Sequence, residues 1–235
     1  MGDRAKKYLG AEIASGRRSG VKYAHNAKRM IDMEYIIKKA DIVSPALHSG
    51  EWERAQVGHI TTEPWPGFTG HSAPETEFWV LRSADGLWVK FRTREHNLRA
   101  EVTQQNGAVC RDSCVEFFVS PDEFDCRYIN FELNPKGVMH IGLGKDRFGR
   151  MLLEEERSIF RVESEDRDGN WSICWHIPDS FLLRYFGQVS PVMRANFYKC
   201  GDSTDHPHYA VWNNVKTEKP DYHRPEFFGT LRVEE

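Results

Sequence analysis

No apolar run in the chain approaches the ~18 residues of a membrane span, which excludes a membrane-spanning helix. Its N-terminus lacks the uninterrupted apolar stretch of ~7–15 residues that a secretory signal needs. A cytoplasmic location is the default, and an extracytoplasmic one follows if the natural start lies elsewhere. No phosphate-cradling GxxxxGK, nucleophile elbow or HExxH occurs. The five cysteines (Cys110, Cys114, Cys126, Cys174, Cys200) form no CxxC pair, so a zinc knuckle is not expected. Reduced, mostly buried thiols are the default, with room for one disulfide in an exported protein.

Basic charge is also scarce outside the first segment. Residues 1–32 carry eight Lys/Arg against three Asp/Glu, whereas residues 33–235 carry 24 against 32. An acidic body argues against nucleic acid as partner, because phosphate binding needs a basic surface. Hydrophobic residues make up 40 % of the 235, enough for a packed core. The first segment is too poor in apolar residues for a core helix and reads as a basic arm, residues 1–32, ahead of one domain, 33–235. A natural start at Met30 or Met33 would make the arm extra and dispensable.

From Met33 the pattern is strand after strand. Met33–Ala40 reads as an edge strand. Glu77–Leu81 and Leu87–Thr93 flank Asp85-Gly86, a hairpin signal. Ser113–Ser120, Tyr128–Leu133, Val138–Leu143, Ser158–Ser164, Trp171–Ile177, Met193–Lys199, Tyr209–Trp212 and Gly229–Val233 complete the series. Only Pro178–Phe186 reads as a short helix, capped by Asp179 or Ser180. The fold class is all-β: an antiparallel β-sandwich, immunoglobulin- or jelly-roll-like, with a short helix.

Side chains alternate across a strand, so parity separates core from surface. Polar parity collects Arg92, Glu116, Asn130, Glu132, Arg194, Asn196 and Tyr198. Adjacent strands would merge these into a face of carboxylates, amides, guanidinium groups and phenol. Such a face suits sugar hydroxyls, which need paired donors and acceptors, with aromatic rings against the apolar sugar face. An ordinary solvated sheet face is the alternative.

Asp112-x-x-Val115-Glu116-x-Phe118 resembles the "D-x-x-V-E-h-F" strand of the family 9 carbohydrate-binding modules. Tyr128–Gly137, Arg194–Tyr198, and Trp212 followed by Pro225-Glu226-Phe227-Phe228-Gly229-Thr230-Leu231 are similar to later elements of that family. Gly50-Glu51-Trp52 and Leu87-Trp88-Val89 resemble its early ones. The likeness spans roughly residues 34–233. It implies a sandwich without catalysis that binds an oligo- or polysaccharide in a shallow site, clamping a terminal sugar between two aromatic rings. By motif position Glu116 stands at the family's sugar-binding carboxylate, Asn130 where an Arg is used and Tyr198 where a Gln is used. Tyr222 stands at the second clamp aromatic. The first falls near Cys110, which is no aromatic; Trp88 or Trp212 are the rings that could replace it. The resemblance also implies structural calcium. The expected sugar site is therefore Arg92, Glu116, Asn130, Glu132 and Tyr198, with Trp212 and Tyr222 at its rim.

Three other readings stand beside it. Glu116 and Glu132 could form a glycosidase acid–base pair. Asp205, His206 and His208 could ligate a metal. Met139 and His140 could serve a haem-binding sandwich. Ser164-x-Asp166-x-Asp168-Gly169 opens like a calcium loop, but Trp175 at its twelfth position breaks the pattern.

Overall fold

A computed structural model describes residues 33–167 and 169–235; the expected basic arm lies outside the described residues. Among those residues thirteen strands alternate with turns and two short helices, α1 (Pro66–Thr69) and α2 (Asp179–Phe186). Two sheets pack face to face as a β-sandwich. The first runs β8 (Met151–Leu152), β7 (Met139–Gly144), β6 (Tyr128–Leu133), β5 (Cys114–Ser120), β11 (Val192–Cys200) and β13 (Gly229–Val233), with β12 (Tyr209–Val211) also on β11. The second runs β3 (Thr76–Ser83), β4 (Gly86–Arg94), β10 (Asn170–Pro178) and β9 (Glu163–Arg167), with β2 (Gly58–Ile60) on β3.

β1 (Glu34–Lys39) joins the two. Its first four residues run parallel to β13, and Lys38 and Lys39 then run parallel to β3. The expected edge strand is thus an edge of both sheets at once. Tyr35 fixes the crossing: its hydroxyl donates to the Gln56 carbonyl at 2.5 Å and accepts from the Val80 N–H at 2.8 Å.

Odd-numbered residues of β5, β6 and β11 point inward, as alternation requires: Phe117, Phe131 and Phe197 meet Phe78, Val89 and Phe91 of the second sheet. Phe78 stacks on Phe197 with ring centroids 3.6 Å apart, and Phe117 stacks on the same ring at 4.7 Å. Burying each such side chain contributes about 1.5–3 kcal/mol, which makes this aromatic column the main clamp between the sheets.

Two local expectations change. Residues 157–160 form a 3-10 turn, not a strand, because Phe160 turns into the core against Phe131 and Phe181. The N-cap of α2 is Pro178 without a side-chain bond, since the Asp179 carboxylate is taken by Arg82 in a two-pronged ion pair at 2.7 and 2.5 Å.

The outer face of the first sheet is not the open polar surface that parity implied. Every residue of β5 and β6 is buried. The connections between β2 and β3, between β4 and β5, and between β12 and β13 lie over the sheet. Trp65, Val109, Val215, Tyr222 and Phe228 pack on Cys114, Phe118, Tyr128 and Tyr198 to make a second, smaller core. Asp112 anchors this roof, accepting from the Glu101 and Val102 N–H groups at 3.1 and 2.9 Å and from the Asn134 amide at 2.9 Å. Asn134 shapes the β6–β7 turn by accepting from Lys136 and Val138, and Gly137 supplies the φ of 71° that closes it.

Candidate functional site

Strand register decides which polar side chains meet beneath the roof. Glu116 lies directly opposite Glu132 on one side and Tyr198 on the other, and Cys114 lies opposite Cys200. Where the roof leaves the sheet uncovered, Glu116, Glu132 and Cys200 form the floor of a cavity of about 280 Å³. Tyr209 and Tyr222 supply its ring walls. Cys110, Asp202 and Pro220 complete it, and Arg147, Asp221 and His223 stand at its mouth.

The site is rich in carboxyl groups and short of cations. Arg147 is engaged by Asp221 at 3.1 Å. Glu116, Glu132 and Asp202 have no ion-pair partner among the described residues. Burial, and then the Glu132 carboxyl opposite, push Glu116 well above the usual carboxylate range. Burial likewise raises Glu132, although His140 and the Asn130 amide partly offset it, and burial raises Asp202. Carboxyl oxygens accept hydrogen bonds, which is half of the pairing a sugar hydroxyl needs. His223 is held neutral, its pKa pushed down to about 3 by burial and by Arg150 and Arg147; its Nδ1 lies 2.9 Å from the Tyr128 hydroxyl.

The expected site residues do not all arrive here. Glu116, Glu132 and Tyr222 line the cavity, together with Cys110. Asn130 sits one step behind: its amide donates to Glu132 Oε1 at 2.8 Å while Arg150 grips its oxygen, orienting the carboxyl. Gly142 leaves room for that amide, since a Cβ there would meet Asn130 Oδ1 at 2.7 Å. Tyr198 is wholly buried and lies under Tyr222, which is itself largely buried instead of standing at an open rim. Trp212 points into the main core, edge-on to Phe78 and Phe197 at 5.8 and 5.5 Å, its backbone N–H donating to the Phe197 carbonyl in continuation of the β11–β12 pairing. Arg92 belongs to the second sheet, where it pairs with Glu77 at 2.9 Å on the opposite outer surface. Trp88 is also buried on that side, stacked on His176 at 4.9 Å.

Asp202, Arg147, Asp221 and His223 were missed because they sit on connections without periodicity, and Tyr209 because it opens β12, a strand too short to reveal which face its ring takes. The run Asp221-Tyr222-His223, beside an expected site residue, was the one available signal.

The other readings fare differently. His208 Nε2 accepts from the buried Lys199 at 2.9 Å and its Nδ1 is taken by the His206 carbonyl at 2.7 Å, so both ring nitrogens are occupied. Met139 is buried in the main core and His140 is taken by the Asn106 carbonyl at 3.1 Å, so neither is placed to hold a haem. Calcium takes six to eight oxygens. Among the described residues the single converging group of three acidic or metal-ligating side chains is Cys114, Glu116 and Cys200, a donor set unsuited to it.

Comparison with known proteins fixes the family. The family model for carbohydrate-binding family 9 matches residues 41–233. This chain belongs to carbohydrate-binding family 9. The crystal structure of a candidate carbohydrate-binding protein from Bacteroides uniformis ATCC 8492 is 28 % identical with a TM-score of 0.76, covering 86 % of this chain and all of that one. A family 9 module from Caldicellulosiruptor kristjanssonii in complex with cellotriose is similar in fold, with 8 % identity and a TM-score of 0.58 over 86 % of this chain and 94 % of that one. The structure of such a module with glucose gives 8 % and 0.57, over 86 % and 96 %. No curated protein matches. Carbohydrate binding is thus the function of this family 9 chain. No helix among the described residues is long and apolar enough to cross a membrane.

Proposed function

We propose that the chain is a non-catalytic module that holds one or two rings of a carbohydrate in the cavity over Glu116 and Glu132. The observation that carries this is their direct cross-strand pairing at the floor of a cavity walled by Tyr209 and Tyr222. Opposed carboxyls present a row of acceptors from below, and the rings supply apolar surface beside them. A volume of about 280 Å³ lies just below the usual range of ligand cavities, roughly 300–1,000 Å³, and fits the end of a chain better than its middle.

What favours binding over hydrolysis is membership of a carbohydrate-binding family. Soluble β-glucans, from glucose to cellotriose, are the first ligands to test, because structural neighbours hold glucose and cellotriose. A glycan array followed by calorimetry should give saturable one-to-one binding, with no new reducing ends after long incubation. Silence across all glycans, or release of reducing sugar that Glu116→Gln abolishes, would overturn the proposal.

A further inference from the structure

The floor of the cavity also carries thiols that sugar recognition does not use. Cys114 and Cys200 face each other across the β5–β11 ladder, and Glu116 follows Cys114 by two residues on the same face. Cross-strand pairing brings together two thiols that no CxxC spacing announced. The Cys200 thiol lies 3.0 Å from Glu116 Oε1, and the sulfurs and one carboxylate oxygen all fall within 4.8 Å of one another. Metal–sulfur bonds of ~2.3 Å in a tetrahedron set ligand atoms about 3.8 Å apart, so small rotations suffice.

We propose that Cys114, Glu116 and Cys200 bind a thiophilic divalent cation of the zinc class, leaving one coordination position open to the cavity. Two thiols and a carboxylate are a borderline-soft donor set, suited to zinc and unsuited to calcium or magnesium. The three ligands sit on two adjacent central strands, and the carboxyl opposite, Glu132, is held in place by Asn130 at 2.8 Å. The nearest buried ammonium, Lys199, does not fill the role. It lies 3.0 Å from Glu95 and 2.9 Å from His208 and donates to the Cys200 carbonyl at 2.8 Å. Glu116 and Cys200 line the cavity, which gives the ion an entry path and gives its fourth position to water or a ligand hydroxyl. Cys110 lies on the cavity wall outside the triad. Uptake displaces the thiol and carboxyl protons, so affinity should fall as pH is lowered.

The inference shares Glu116 with the sugar reading, but its test needs no sugar. The full chain, reduced with a phosphine that is then removed, is titrated with Co²⁺ and back-titrated with Zn²⁺. One equivalent should bind, with thiolate-to-cobalt charge transfer in the near ultraviolet that Zn²⁺ abolishes. Cys114→Ser and Cys200→Ser should each weaken uptake by ~100-fold or more, beyond the 10- to 100-fold that outer partners of a ligand cost. Cys174→Ser, under the second sheet, and the exposed Cys126→Ser should leave it unchanged. X-ray absorption of the zinc-loaded wild type should show two sulfurs per zinc, which keeps the test decisive if a serine variant fails to fold. Absence of stoichiometric uptake, a charge-transfer band that survives both serine variants, or a sulfur-free zinc shell would overturn the proposal. Sugar titration with and without Zn²⁺ then separates the two readings: metal uptake with no sugar binding sinks only the sugar site, and sugar binding with no metal uptake sinks only the metal site.

Discussion

Tyr222 lies face to face on Tyr198, ring centroids 4.1 Å apart and planes 15° from parallel, and the Tyr198 hydroxyl donates to the Tyr222 carbonyl at 3.1 Å. The cavity wall is therefore a ring backed by a second ring rooted in β11. The Tyr222 hydroxyl in turn shares its one proton between the Lys199 and Ala210 carbonyls, at 3.1 and 3.3 Å.

This stacking makes Tyr222 a residue of both binding and stability. Tyr222→Ala should weaken sugar binding and also lower stability by about 3–5 kcal/mol, as large-to-small changes at buried aromatic sites do. Tyr222→Phe keeps the ring and loses only its hydroxyl contacts, costing about 1 kcal/mol with binding nearly retained. Denaturant melts and calorimetry on both variants would check this; unchanged stability in the alanine variant would mean that the ring does not pack as described.

The raised Glu116 carboxyl sets a direction for pH dependence. Its folded-state pKa lies above its unfolded one, so the folded protein binds more protons between the two. Stability from this group is complete below the ordinary carboxylate range and is lost as pH rises through the folded value. Glu116→Gln removes the titration. The variant should melt higher than wild type at pH 8, and this advantage should shrink toward pH 4, each kcal/mol amounting to about 2–4 °C. Scanning calorimetry at several pH values reads the difference directly. A zinc-free sample is required, since a bound cation would hold Glu116 ionised.

A buried ion pair ties the two sheets at the end away from α2. Lys199 of β11 meets Glu95, just beyond β4, at 3.0 Å, and Glu95 also accepts from Ser113 at 2.8 Å and from the Trp171 indole at 3.2 Å. Burial alone would raise Glu95, but the Lys199 ammonium and the Ser113 hydroxyl hold it below the usual range. Lys199→Met strands that carboxylate and should cost about 3–5 kcal/mol, with Glu95→Gln added in the same chain recovering part of the loss. Thermal melts of the single and double variants measure the coupling; additive losses would show that the pair is not a unit.

Alternation located most strands, because Ile129, Phe131 and Leu133 can be buried together only if the chain between them is extended. It did not tell which sheet a strand joins. Arg92 shares a polar parity with Glu116 yet sits on the far side of the sandwich, and only the pairing of β4 with β3 and β10 reveals that. Nor could parity foresee the roof over β5 and β6, since the connections carrying Val109, Val215 and His223 follow no period. The cysteine pair was hidden for the same reason: Cys114 and Cys200 are 86 positions apart and meet only through strand register.

The separation of Arg92 from the cavity gives the sharpest test of where the sugar sits. Glu116 lies at the floor, with Glu132 opposite and no ion-pair partner among the described residues, so a ligand hydroxyl would take its free acceptor capacity. Removing a hydrogen-bonding partner of this kind costs about 1.5–3 kcal/mol, so Glu116→Ala should raise Kd roughly 10- to 150-fold. Arg92 is spent on Glu77 and on the face of Trp79, 5.4 Å away, across the whole thickness of the sandwich from the cavity. Arg92→Ala should leave Kd unchanged and cost under about 1 kcal/mol of stability, as exposed pairs do. Calorimetric titration of both variants with one glycan decides between the faces. Loss of binding in Arg92→Ala with retention in Glu116→Ala would move the sugar site to the second sheet.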